Sequence, residues 1–227
     1  MANRCYTPLK VLAVRVAVLS STGAPDDGST NGYVSDAITE IGYDPEIEAG
    51  DEGTQKNGSG TVCATFKDPD TIKRWNLNAV FCKLDPELQA KMTQSTLLAS
   101  GSISAGLITP GASTSLTIPV SFEAWSYAWD TDEQATDATL GASGVYVHHV
   151  WPKVKWTYGS QSIGNALGTI PLTGIGEANS NITANGPFND WPTFVANAGG
   201  VTSAYGWFYD DDVPTAACGA ISVPSGS

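Results

Sequence analysis

The run Lys10-Val-Leu-Ala-Val-Arg-Val-Ala-Val-Leu19 decides the reading of this chain. Four of its ten residues are valine, whose branched Cβ is stiff and packs well on a pleated surface, so the run is a strand. Its apolar part is too short to span a bilayer and is broken by Arg15. The same break argues against the hydrophobic region of a signal peptide. We therefore expect no membrane segment and folding in the cytoplasm where the chain is made.

Working outward, the turn-forming run Thr22-Gly-Ala-Pro-Asp-Asp-Gly28 is followed by a second strand over 33–43. Further strands are expected over 61–67, 75–84, 115–129, 144–157 and 204–209. Residues 158–187, rich in Gly, Asn, Ser and Thr, read as loops and short edge pieces. The one clear helix is Asp85-Pro-Glu-Leu-Gln-Ala-Lys-Met92, expected over about 85–93. Asp85 can cap the free amides, Pro86 suits the first helical position, and Glu87 favours the positive end of the dipole. Leu88 and Met92 share a face that would dock on a sheet. The chain has 227 residues, with 24 Gly and 13 Pro, and neither a repeat nor a linker divides it. The expected fold is a single mainly-β domain over 1–227: a β-sandwich or barrel, one flanking helix, a long polar loop at 47–60 and a C-terminal arm at 213–227.

The net charge is −12. Only two of the basic residues, Lys153 and Lys155, lie beyond residue 100, against ten acidic ones. Nucleic-acid affinity comes mainly from Lys and Arg displacing counterions, so this surface would not grip DNA. It would suit a channel through which DNA slides.

A search for chemistry finds no catalytic constellation, and the chain is expected to be no enzyme and to need no cofactor. His148 and His149 are adjacent on a strand and point to opposite faces, so they do not share a metal. The acidic groups Asp130, Asp132, Glu133 and Asp210-Asp-Asp212 lack the glycine and closing glutamate of a calcium loop. Gly159-Ser-Gln-Ser-Ile-Gly164 lacks the spacing of a nucleophile elbow, and the glycine-rich 49–60 lacks that of a phosphate loop. A small β-fold hydrolase would need a pocket at His148 or His149. Of the seven tryptophans, Trp125, Trp129, Trp151 and Trp156 fall in expected strands and are assigned to a core or subunit contact. An exposed row of aromatics would instead make a monomeric carbohydrate-binding sandwich. Cys5, Cys63, Cys82 and Cys218 are too scattered for a disulfide scaffold and are expected as buried, reduced thiols. Cys63 with Cys82, and Cys5 with Cys218, are the pairings open to oxidation.

Four stretches carry a resemblance. They are Tyr43-Asp-Pro-Glu-Ile-Glu-Ala-Gly-Asp-Glu52, then Asn57-Gly-Ser-Gly-Thr-Val-Cys63 with Lys67-Asp-Pro-Asp-Thr-Ile-Lys73, and Leu77-Asn-Ala-Val-Phe-Cys-Lys-Leu-Asp-Pro-Glu-Leu88. In this order and spacing they resemble the major tail tube proteins of long-tailed siphophages, especially those of actinobacterial hosts. Val150-Trp-Pro-Lys153 and Pro214-Thr-Ala-Ala-Cys-Gly219 match more weakly. At the helix end the family often has Thr-Gly-Gly, where this chain has Met92-Thr-Gln-Ser.

The resemblance implies a structural virion protein of the phage tail, assembled in the host cytoplasm. Its subunits would close into hexameric rings that stack head to tail into a helical filament. Genomic DNA would pass through the lumen without specific binding. Tail terminator, tape measure and distal tail proteins would be its partners. The implied inter-ring element is the flexible loop 47–60, with Ile47 as apolar anchor and Asp51, Glu52 and Lys56 pairing across the joint. Glu40, Asp44, Glu46 and Glu48 are the residues expected to face the lumen.

Overall fold

The computed structural model describes residues 6–101, 103–130, 144–161, 164–165, 168–182, 185–192, 203–215 and 218–225. The chain is mainly β, with antiparallel sheets and one helix, consistent with a β-sandwich. The strands are β1 (Tyr6–Val18), β2 (Gly28–Ser35), β3 (Ile38–Glu48), β4 (Glu52–Lys56), β5 (Val62–Lys67) and β6 (Thr71–Phe81). After helix α1 (Pro86–Thr93) come β7 (Thr96–Ser100), β8 (Ile103–Ile108), β9 (Val120–Asp130), β10 (Tyr146–Tyr158), β11 (Ile170–Glu177), β12 (Gly206–Asp210) and β13 (Gly219–Val223).

Nine of these strands form one sheet in the order β13-β2-β1-β9-β10-β11-β6-β3, with β12 also paired to β10. The pairs β4-β5 and β7-β8 are separate hairpins. Only Asp36 and Ala37 separate β2 from β3, yet the two strands stand near opposite ends of the sheet order. The sheet must therefore curl until its ends meet, and the seam runs through that turn. Inside the curl lies one core, drawing Val14 and Val16 from β1, Phe122 from β9, Trp151, Val154 and Trp156 from β10, Leu172 from β11 and Phe81 from β6. Burial of such side chains contributes about 1.5–3 kcal/mol each before the entropy of ordering is set against it.

The helix forms where expected. Asp85 caps it by accepting from the Leu88 amide at 3.2 Å, and it ends at Gln94 in the left-handed conformation. The Tyr33 hydroxyl reaches both Asp85 oxygens, at 2.9 and 2.8 Å, fastening the cap to β2. Leu88 and Met92, each 1% exposed, enter the core.

Four expectations are corrected. Residues 33–43 are not one strand, because the chain leaves β2 after Ser35 and crosses the seam into β3. Residues 47–60 are not an open loop: Ile47 and Glu48 complete β3, and β4 pairs with β5 from Glu52↔Lys67 to Lys56↔Val62. Residues 158–187 contain β11, which runs between β10 and β6 rather than at an edge. The C-terminal arm at 213–227 includes β13, which pairs with β2. The exposed hairpin β7-β8 had no counterpart in the sequence reading. Asp132 and Glu133 lie outside the described residues.

A candidate assembly surface and a buried charge cluster

The distal halves of β3 and β6 run past the core as a paired ribbon, and β4-β5 continues it outward. Together they make an arm on which residues 54–73 are all exposed. At its neck, Gly50 passes so close to the other strand that a Cβ there would lie 2.0 Å from the Asp68 carbonyl oxygen. The Gly50 amide donates to the Asp70 carboxylate at 3.0 Å, and the Asp68 amide to the Asp51 carbonyl at 2.9 Å. At the tip, Asn57 Oδ1 accepts from the Ser59 and Thr61 amides at 3.1 and 2.9 Å, and Gly60 supplies the positive φ of 85°. The arm thus carries its own backbone pairing.

Its side chains are unusual for a solvated ribbon. Ile47 is 62% exposed, Phe66 61% and Ile72 60%, with Val62 also exposed. Ile47 and Ile72 stand opposite each other in register, and Phe66 lies over Gly53. The hairpin β7-β8 adds exposed Leu97, Leu98, Ile103 and Ile108. Large apolar side chains left exposed on a projecting ribbon, with Ile47 and Ile72 paired across it, are candidates for an interaction site.

The other residues singled out from the sequence fall on the same ribbon. Asp51 sits at the neck, Glu52 opens β4 opposite Lys67, and Lys56 closes it opposite Val62. Glu40, Asp44, Glu46 and Glu48 all lie on β3. Glu46 pairs with Arg74 at 2.5 Å and Glu48 with Lys73 at 3.7 Å. The Arg74 hydrogen bond holds the Glu46 carboxyl below the usual range. Among the described residues, Glu40 and Asp44 have no cation at ion-pair distance.

A second feature escaped the sequence reading. On the outer face of the sheet, Arg15 stands opposite Glu123 and is bonded to it at 3.1 Å through Nε. Arg15 Nη1 also reaches Asp190 at 2.6 Å. His148 sits between two carboxylates, with Nε2 3.0 Å from Glu123 and Nδ1 3.0 Å from Asp210. Trp191 Nε1 donates to the other Glu123 oxygen at 3.2 Å. The Arg15 guanidinium stacks 4.0 Å from the Phe188 ring centre, and His148 lies flat on Trp125. Burial alone would raise the Glu123 carboxyl, but Arg15 and His148 outweigh it and hold the carboxyl low. Asp210 is held low in the same way, with burial outweighed by His148 and the Asp212 amide. Leu19, Val150, Ile182, Trp191 and Phe208 seal this face as a small second core. The cluster holds the segment around 188–191 and β12 against the sheet. The available signal was a charged residue inside each of two apolar strands, Arg15 and Glu123.

His149 points to the opposite face, as its neighbour's position requires. Its Nδ1 is 2.9 Å from the Tyr205 hydroxyl, which donates to Tyr43 at 3.2 Å. Burial, aided by the nearby His148, lowers its pKa to about 4. Trp125, Trp151 and Trp156 are each 1% exposed, so the strand tryptophans are spent in the interior, while Trp129 is half-buried. The exposed aromatics Trp207 and Tyr209 meet edge-on at 72°, which gives no flat stacking platform. Cys63, Cys82 and Cys218 are exposed, contrary to the expectation of buried thiols. Cys63 lies on the arm and Cys82 past the other end of β6, a strand of 11 residues or about 36 Å, so those two are not neighbours.

Among the described residues no helix is long and apolar enough to cross a membrane. Fold and surfaces together define a curled antiparallel sandwich bearing a projecting arm that exposes Ile47, Val62, Phe66 and Ile72. No protein-family model matches the sequence. No curated protein matches it either.

Proposed function

We propose that this protein is a tail tube subunit of a long-tailed bacteriophage, polymerising as stacked hexameric rings around a DNA-conducting lumen and catalysing nothing. The observation that carries the reading is the arm: a self-paired ribbon, clear of the core, with four exposed large apolar side chains. A head-to-tail contact made by such an arm does not close on itself, and so generates a filament. The strand edges at β3 and β13 are a liability in a monomer and become joints in a ring. The acidic balance suits a wall that DNA must pass without sticking. The resemblance in 43–88 agrees in placing the inter-ring element at 47–60.

Negative-stain electron microscopy of the concentrated protein, with light scattering after size exclusion, tests the proposal. Hollow-axis rings or filaments are the expected result. A strictly monomeric species, even with other tail components present, overturns it.

A further inference from the structure

Two of the three described cysteines, 136 positions apart in the chain by their numbers, each contact the same turn, Cys82 at Ala37 and Cys218 at Asp36. That turn, Asp36-Ala37, is the seam between β2 and β3. On one side the Cys82 amide donates to the Ala37 carbonyl at 2.8 Å, and the Cys82 thiol lies 3.2 Å from the same oxygen. On the other, Gly219 stands opposite Val34, which sets Cys218 beside Ser35. The Cys218 sulfur is 3.7 Å from Ser35 Oγ and 3.3 Å from Asp36 Oδ1. Lys83 Nζ binds that same Asp36 oxygen at 2.9 Å. The Asp36 hydrogen bond raises the Lys83 pKa, and the potential of both thiols adds to the rise. Cys63 keeps to the arm, 3.7 Å from the Thr61 carbonyl.

We propose that Cys82 and Cys218 form a modification site, closing an intramolecular disulfide across the seam under oxidising conditions. With a small-molecule disulfide as oxidant, one cysteine thiolate attacks its S–S bond and expels one thiol. The second cysteine then attacks the protein sulfur of the mixed disulfide and expels the other thiol. Two electrons pass from the protein to the oxidant, and the two cysteine protons end on the released thiols. Closing the bond needs the two Cα atoms within about 7 Å, and both thiols are exposed and held against adjacent residues of the turn, Cys82 on the Ala37 carbonyl and Cys218 on Asp36. It would tie β13, a short edge strand at one end of the sheet, to the end of β6, the strand next to the other edge, and so close the seam covalently. The inference stands apart from the proposed function, because it needs only the folded chain.

The test is incubation of the full chain with glutathione disulfide in native buffer, then digestion without reduction and mass spectrometry. A linked Cys82–Cys218 peptide at monomer mass is expected, reversed by dithiothreitol, with a higher thermal midpoint for the oxidised form. Cys63→Ser should keep the link, and Cys82→Ser or Cys218→Ser should remove it. Recovery of Cys82 and Cys218 as free thiols or separate glutathione adducts overturns the proposal. So does a link from either one to Cys63 or Cys5. Mapping the unmutated chain decides the matter even where a variant folds poorly.

Discussion

Arg15 and Glu123 face each other in register across β1 and β9, and both are nearly inaccessible to water, with side chains 8% and 0% exposed. A buried ion pair of this sort adds little over an apolar pair, but removing one partner strands the other charge.

Glu123→Gln should therefore cost about 3 kcal/mol or more, since it leaves Arg15 and His148 facing a neutral amide. Asp190→Asn should cost below about 1 kcal/mol, because its side chain is 44% exposed and screened. Urea denaturation of the two variants measures the difference.

Acid should destabilise the fold. His149 stays neutral in the folded chain down to a pKa of about 4, against an ordinary value of 6.5. Between those values the unfolded chain binds the extra proton, so stability falls as pH drops through the window and is full above it. The loss reaches about 3 kcal/mol at most. Depressed Glu123 and Asp210 add a loss in the same direction at lower pH. His149→Gln should flatten the stability curve between pH 6.5 and 4, as read by denaturation at stepped pH.

Gly174→Ala should cost about 1–3 kcal/mol by overpacking. Its new Cβ would lie 2.8 Å from both Trp156 and Val154. Gly58→Ala, with nothing within 4 Å of its Cβ, should be neutral within about 0.5 kcal/mol. Thermal melts of the pair check this.

Replacing residues 51–68 by a short turn should leave the core intact, because the excised ribbon is almost wholly exposed. The thermal midpoint should hold, and under the proposed tail tube function the filaments should be lost from micrographs. Normal filament growth would move the contact to β7-β8 or the C-terminal segment.

Under the proposed tail tube function, Glu40→Lys with Asp44→Lys should slow DNA ejection from assembled phage by adding phosphate attraction along the path. Lys substitutions at Glu46 and Glu48 should also disturb Arg74 and Lys73, and so change the arm as well. Ejection kinetics at fixed salt separate the two pairs, and unaltered kinetics in the first would place Glu40 and Asp44 on the outer wall.

What the sequence made legible was local. Asp85 and Pro86 announce the helix because capping is decided within one turn of chain. The valines at 11, 14, 16 and 18 announce β1 for the same reason. β11 was hidden because its glycines read as loop. In the structure both are strand positions: Gly174 is left without a side chain where Trp156 and Val154 lie against it, and Gly176 sits tightly beside Leu77. The arm was found as a segment but not as a hairpin, since no apolar alternation marks exposed pairing. The Arg15–Glu123–His148–Asp210 cluster draws on β1, β9, β10 and β12. Only the folded topology brings those strands together.

The arm's attachment also governs how the molecule bears load. Both of its strands leave the body in the same direction, as the end of β3 and the beginning of β6. A pull on the tip therefore draws β3 and β6 together as one piece, sliding them lengthwise against β11. Seven residue pairs, from Trp75↔Gly176 to Phe81↔Ile170, span that boundary. Rungs loaded along the strand share the force and must fail together, whereas a peeled margin fails one rung at a time. Tension on the arm is thus borne by the boundary between β6 and β11, one strand in from the margin.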